Sequence, residues 1–521
     1  MSQARALEVA SHGLTMPLFG IGESAGLNSA NLNFPELVKT LRDRSFEQPR
    51  KRAIQDRTDI GRTKACALFI DGLYQAYCSN VPDAAVAFPL SQRNYGTSKP
   101  FVIKSHTYEN IRAAYEALLS LGWVTHSKGF KRPDDYSQPT SVAPTGYLLE
   151  CFKSSKPRWQ RSIFTSDPII VRNKKKKSKQ HQKIVPPDTP QVHLAREQLH
   201  QINQLLGDQA ICLALPNAGL KELALEMAGQ QYSYSVGAGK SVSRARLLNF
   251  AQVGLRRIFA KGCMDRGGRM YGAWWQTIPK DYRRFVTING RPTVEVDFSE
   301  IHPTMLYCLA GQAAPPNIYD LGIRNPGEPP YDPKVEPHKS RRKIIKTFVC
   351  ALINDERGVY RLTDLDAVEL GMSHEQLKKA VEDKHPVIAQ SFRTDVGLYL
   401  QFLDSQIAAG VMVRLMDQRI VALPVHDSFL VQEEFEPELI SVMRQEFAAV
   451  MQADAQLKET ELPIDAFEQL GSDGNLSRIA DAHKGAFHDE YVMSWHRQHK
   501  SPADTNLARY PPFRFPDGEL L

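Results

Sequence analysis

The chain has 521 residues, 42% of them hydrophobic and 24% charged, with a formal net charge of +7. That length implies two to four domains, and that balance excludes a wholly disordered or fibrous chain. No stretch offers the ~18–20 uninterrupted apolar residues of a membrane span. The opening segment MSQARALEVASHGLTMPLFGIGES lacks the apolar centre of a secretory signal. Seven scattered cysteines with no CxxC pair fit a reducing, cytoplasmic setting rather than a disulfide framework or a cysteine-based zinc site.

Residues 1–57 read as a loosely ordered lead-in that closes on a charged run. Residues 58–171 read as a small domain. ACALFIDGLYQAYCSN is a helix, and AVAFPLS is short and apolar. Thr107 to Gly122 is a second helix, with Thr107 as cap, Ile111, Tyr115, Leu118 and Leu119 as its apolar stripe, and Gly122 as its stop. WVTHSKGFKR then runs extended and turns at Gly129. Helix, helix and basic hairpin resemble a winged helix-turn-helix, with Thr107–Leu121 as recognition helix and Lys128, Lys131 and Arg132 on the wing. Tyr108, Asn110 and Arg112 are the polar residues that helix offers near its start.

Residues 172–190 read as an unstructured basic linker. RNKKKKSKQHQK carries seven Lys or Arg and no acid, and Lys174, Lys175, Lys176 and Lys177 are suited to tracking a phosphate backbone. Residues 191–260 read as helical. SVGAGKSV within them is a turn and no phosphate loop, because Tyr234 stands where that motif needs glycine.

Three later segments carry the chemistry. In TVEVDFSEIHPTMLYCLAG, strand periodicity over Val294–Asp297 switches to a helix capped by Ser299, with Pro303 in its first turn. Asp297 thus closes a strand, well placed to hold a divalent metal. In RIVALPVHDSFLVQEE, two apolar β runs flank His426-Asp427, which reads as a hairpin with an acid at its tip. In HKSRRKIIKTFVCALIND, Ile344, Ile345, Phe348, Val349 and Leu352 form an apolar helical face, and Arg342 and Lys346 a basic edge. Two metal-holding acids and a basic helix are what nucleotidyl transfer needs: two Mg²⁺ ions (Mn²⁺ can replace them) on Asp297 and Asp427, and cations for the triphosphate.

Taken in chain order, the segments resemble the polymerase superfamily of family A DNA polymerases and phage-type single-subunit RNA polymerases. DFSEIHP is similar to motif A, Arg342-x3-Lys346 to the start of motif B, and Val425-His426-Asp427-Ser428 to motif C. MDRGGRMYG, with Arg269 and Tyr271, looks like the Arg-Gly-Arg-x-Tyr segment of the phage enzymes. The likeness covers roughly residues 255–470. It departs at motif B, where Asn354 and Asp355 stand in place of Tyr-Gly, and at motif A, where His302 replaces a glutamate that blocks the ribose 2′-hydroxyl.

The resemblance implies an α+β right-hand polymerase core behind the winged-helix-like domain. Residues 191–260 would be thumb-like, 261–470 the palm with fingers inserted at about 312–400, and 471–521 a C-terminal helix and loose tail. Asp297, Asp427, Lys346, Arg342 and His426 would be catalytic. His302, Arg269, Tyr271 and Asn354 would contact nucleotide and sugar. The expected partners are a DNA template with primer and nucleoside triphosphates, with no membrane. A DNA polymerase of a small replicon or mobile element comes first. The alternatives are a single-subunit RNA polymerase or primase-like enzyme, and a DNA-binding replication initiator with an inactive polymerase core. The bulk of His302 leans towards deoxynucleotides, whereas residues 264–272 and Ser428 lean towards ribonucleotides.

Overall fold

The computed structural model describes residues 15–17, 34–47, 56–78, 84–88, 90, 107–131, 137–138, 140–154, 167–174, 181–209, 211–214, 223, 252–325, 327–355, 358–394, 396–455 and 457–459. Their helices and strands gather around two hydrophobic cores, one drawn from residues 34–152 with Cys212 and the other from 169–451.

The first core takes helices α1 (Pro35–Glu47), α2 (Asp56–Cys78), α3 (Tyr108–Ser120) and α4 (Gly146–Ser154). Its strands are β1 (Thr15–Pro17), β2 (Ala85–Phe88), β3 (Val124–Ser127), the short ribbon of β4 (Phe130–Lys131) with β5 (Ser137–Gln138), and β6 (Thr140–Pro144). The sheet runs β1-β2-β6-β3. Helix α3 begins where the sequence places it: Thr107 Oγ1 accepts the Asn110 amide, and Gly122 at φ +65° ends the helix.

Part of the expected lead-in is ordered. Helix α1 buries Leu37, Val38 and Leu41 in this first core, an apolar face that the surrounding charges obscure. Asn110 is buried and accepts from Arg62, whereas Arg112 is exposed and pairs with Glu116 along the helix. Lys128 is exposed between β3 and β4. Arg132, and the side chain of Lys131, lie outside the described residues.

The expected linker is also structured. β7 (Ile169–Lys174) and β8 (His181–Ile184) pair antiparallel, with Val171 opposite Ile184 and Lys174 opposite His181. Ile169, Ile170 and Val171 are buried, and that burial fixes the strand despite the lysines that follow. Lys175, Lys176 and Lys177, and the side chain of Lys174, lie outside the described residues. The region expected to be helical holds α5 (Pro190–Gly207), started by Thr189 as cap, but then β9 (Ile211–Leu213) and β10 (Arg256–Phe259). Residues 215–222 and 224–251, with the expected turn at 237–239, and 460–521, with the expected C-terminal helix and tail, lie outside the described residues.

The second core is organised by two sheets. One runs β11 (Gly267–Tyr271), β10, β7, β8. After a short α6 (Lys280–Arg283), β12 (Val286–Ile288) and β13 (Arg291–Phe298) begin the other. Helices α7 (Ile301–Leu309), α8 (His338–Asn354), α9 (Asp364–Leu370), α10 (His374–Lys384), α11 (Pro386–Ala389) and α12 (Val396–Asp417) follow, then β14 (Leu423–Val425), β15 (Ser428–Gln432), α13 (Glu436–Met451) and β16 (Leu457–Glu459). This sheet is antiparallel throughout, ordered β14-β15-β13-β12-β9, with β16 on the far edge of β13. Val294, Val296 and Phe298 enter the core, and Glu295 and Asp297 fall on the opposite face. β9 joins the two cores: Ile211 and Leu213 belong to the second, and Cys212 to the first.

Helix α12 is long and apolar enough by length and composition to cross a membrane. Here it packs against β11, α8 and α13, burying Leu400, Ile407, Val411 and Leu415. Arg257 on β10 reaches the same helix, donating to Ser405 Oγ and Gln406 Oε1 at 2.9 Å, and its burial lowers its pKa to about 10.

β11 approaches α12 closely at Gly268, which has φ +88°. A Cβ there would lie 2.7 Å from Ser405 Oγ and 2.8 Å from the Phe259 ring. Gly268→Ala therefore combines left-handed strain with overpacking and should cost about 2–4 kcal/mol. Gly311→Ala, at φ +69° in open space, carries the strain alone and should cost about 1 kcal/mol. Urea unfolding followed by tryptophan fluorescence checks the difference, and equal costs would contradict the close approach.

Candidate active site

Asp297 lies opposite Ser428 in the β13–β15 register. β14 and β15 are joined by a two-residue turn, His426-Asp427, with His426 at φ +62°. The Phe298 amide donates to the Asp427 carbonyl at 3.2 Å, which ties the hairpin tip to the residue after Asp297. Both acids are half-buried. Burial, and next the charge of Asp427, push the Asp297 carboxyl up to about 7, while Lys280 and Lys346 pull the other way.

The other acids around the pair each have an arginine. Glu295, on the same face of β13, accepts from Ser428 Oγ at 2.5 Å and pairs with Arg283 at 3.2 Å. Glu300 pairs with Arg342 at 2.8 Å. Asp404 on α12 is 2% exposed and accepts from Arg269 Nε at 2.6 Å. Among the described residues no ion pair closes on Asp297 or Asp427.

Arg269 also lies 3.2 Å from His302 Nε2, and His302 Nε2 is 3.7 Å from Asp404. A guanidinium only donates, so His302 Nε2 must be its acceptor, and the ring proton then sits on Nδ1. Burial works to lower the Arg269 pKa, but the charges of Asp404 and Asp427 outweigh it and hold the pKa high. Tyr271, two residues along β11, meets the His426 ring edge-on at 5.5 Å. Burial and then Arg269 lower the His426 pKa, and among the described residues its buried Nδ1 has no hydrogen-bond partner.

The structure thus brings Asp297, Asp427, His426, Arg269, Tyr271 and His302 together. The other expected residues meet different surroundings. Arg342 is already committed, paired with Glu300 and stacked 5.1 Å over the Tyr319 ring. Lys346, one turn further along α8, is exposed and acts on Asp297 through its charge. Asn354 donates to the Cys350 carbonyl at 2.8 Å, and a Cβ on Gly397 would collide with its Oδ1, so it packs α8 against the start of α12. Helix α7 is capped not by Ser299 but by Glu300, which is left-handed at φ 52° and uses its carboxylate on Arg342.

Sequence reading missed Asp404, Glu300, Glu295 and Lys280. Asp404 carried a signal, since a lone acid inside LYLQFLDSQIAAGVMV must find a partner once that helix is buried. Among the described residues no group of three or more His, Cys, Asp or Glu could hold a metal ion. The donor set on Asp297 and Asp427 is two hard carboxylates. That suits a cation such as Mg²⁺, which binds through one or two carboxylates and completes its shell with water or phosphate.

No family model matches the chain, and no curated protein does. Among solved structures the chain is similar to the POL domain of Pol1 from M. smegmatis, solved in complex with DNA primer-template and dNTP. The identity is 13%, the match covers 81% of this chain and 69% of that one, and the TM-score is 0.28.

The raised Asp297 pKa makes a pH prediction. The folded state holds this proton more tightly than the unfolded chain, so its stabilisation is complete near pH 4 and is lost as pH rises towards and through about 7. Without divalent cations, Asp297→Asn should melt close to wild type at pH 4 and increasingly above it by pH 8. Thermal melts in EDTA across that range test this, and a constant difference would refute the shift.

Proposed function

We propose that the chain is a template-directed nucleotidyltransferase with a right-hand polymerase core, and that its first activity is DNA synthesis. The observation that carries this reading is the Asp297–Asp427 pair: two adjoining carboxylates that no ion pair claims among the described residues, beside the charges of Lys280 and Lys346. On this reading β12–β15 form the palm, and α8–α11 lie in the fingers.

Asp297 and Asp427 would hold Mg²⁺, which when bound would activate the attacking 3′-hydroxyl and neutralise the leaving pyrophosphate. Lys346 offers the exposed ammonium for the triphosphate, and its bonds to phosphate strengthen as charge builds on the leaving group. Arg342 joins only by leaving Glu300. His302, fixed by Arg269, fills the space beside the sugar and rejects a 2′-hydroxyl that it leaves unsolvated, worth ~1–3 kcal/mol or ~10–200-fold. Tyr271 and the His426 ring hold the hairpin tip against β11.

The first domain and the β7–β8 ribbon would bind the DNA backbone as a winged-helix-like module, through Lys128, Lys131, Arg132 and Lys174–Lys177. This part of the reading is supported by the exposure of Lys128 and by the basic composition of the ribbon.

Primed and unprimed DNA templates, with dNTPs and NTPs supplied separately, test the assignment. Asp297→Asn and Asp427→Asn should each abolish incorporation, and activity within tenfold of wild type in both would sink it. Lys346→Ala should slow single-turnover incorporation far more than it weakens DNA binding. Wild-type use of GTP equal to or above dGTP would replace DNA synthesis by RNA synthesis. In a separate measurement, replacing Lys174–Lys177 by Ala should flatten the dependence of log affinity on log salt by roughly 0.9 for each phosphate that is no longer neutralised. An unchanged slope would remove the ribbon from the DNA interface.

A further inference from the structure

We infer that Asp404 is a positioning residue that holds Arg269 away from Asp427 and so keeps the acid pair open to a divalent cation. The inference rests on the proposed cation site at Asp297 and Asp427. It starts from the distribution of charge, not from any likeness to other proteins.

Arg269 lies in the field of two anions, Asp404 and Asp427. It is bonded to Asp404, and its strand is pressed against the hairpin tip, since Tyr271 packs on the His426 ring next to Asp427. The Asp427 charge acts on Arg269 as well. A guanidinium released at this position would find Asp427 as the next carboxylate, and the strength of Arg–carboxylate pairing would favour that contact. An arginine on Asp427 would both neutralise a metal ligand and repel an incoming dication.

Asp404 prevents this. It is buried on α12, a helix locked to β10 and β11 by Arg257, Ser405 and the close approach at Gly268. A carboxylate buried there is costly unless paired, so the Asp404–Arg269 contact is held from both sides. His302 Nε2 takes a further Arg269 proton and narrows the guanidinium's freedom again. Glu295 with Arg283 and Glu300 with Arg342 follow the same pattern. Each arginine near the acid pair is absorbed by a third carboxylate.

The test is Mn²⁺ binding to the full chain without nucleotide, read by electron paramagnetic resonance of the free ion. Wild type should bind, and Asp297→Asn should not. Asp404→Asn should weaken Mn²⁺ binding by about tenfold or more, the scale of one nearby unscreened cation. The double variant Asp404→Asn with Arg269→Gln, which removes the freed cation too, should recover binding to within about threefold of wild type. A purely structural role for Asp404 would leave the double variant as weak as the single one, and that result overturns the inference. So does Asp404→Asn binding Mn²⁺ as wild type does. Should Asp404→Asn alone fail to fold, the double variant decides: near-wild-type binding supports the inference, and a tenfold loss overturns it. Wild type that binds no Mn²⁺ through Asp297 overturns the proposed cation site and the inference together, whereas wild-type binding with an unaffected Asp404→Asn overturns the inference alone.

Discussion

The pairing of β13 with β15 is the constraint on which the site depends. Five residue pairs, from Thr293–Gln432 to Asp297–Ser428, set that register. It aligns the end of one strand with the start of the next, so that the turn carrying Asp427 closes over Asp297. A slip by one residue would exchange the faces of β13. Glu295 and Asp297 would then enter the core where Val294, Val296 and Phe298 now pack, and Phe298 would no longer meet Phe447. The hydrophobic alternation of TVEVDF therefore does two jobs: it seats the strand and it sorts the acids to the open face.

Charge is arranged around that register by pairing rather than by distance alone. Arg283, Arg342 and Arg269 all lie near the two acids, and each has its own carboxylate in Glu295, Glu300 or Asp404. What remains is a pair of half-buried acids facing ammonium groups on exposed side chains, Lys280 and Lys346. Exposed lysines are screened and mobile, so they moderate the repulsion without filling the site. Burial first, and then the repulsion that is left, raise the Asp297 pKa.

Much of this was legible in the sequence because the elements that carry it obey simple periodicities. Strand alternation at 294–297, the two apolar runs around His426-Asp427 and the apolar face of α8 each point to one local structure, and tertiary packing agrees with all three. Legibility failed where a local pattern was overridden. The lysine run hid a strand whose buried residues, Ile169 to Val171, lie just ahead of it. The apolar residues before 260 suggested a helix, but β10 pairs with β7 and β11 there. The ion pairs were invisible for a different reason: Arg269 and Asp404 are 135 positions apart, and nothing local to either names the other. Asp404 alone announced that it needed a partner, without saying which.

The same physics bears on whether the core is a working site or a relic. Placing two half-buried carboxylates together, one at a strand end and one in the neighbouring turn, destabilises the fold when no cation is bound. A single substitution at either position would relieve that cost without disturbing the register, because Asp297 points away from the core and Asp427 occupies a turn. Nothing in the packing requires either acid. Glu295, Glu300 and Asp404 are different, since each satisfies a partly buried arginine and would be retained on structural grounds alone. Among the described residues, the two acids that no ion pair claims are Asp297 and Asp427. On the proposed reading such a combination would keep the site for a ligand of opposite charge, which favours a working core over an inactive one.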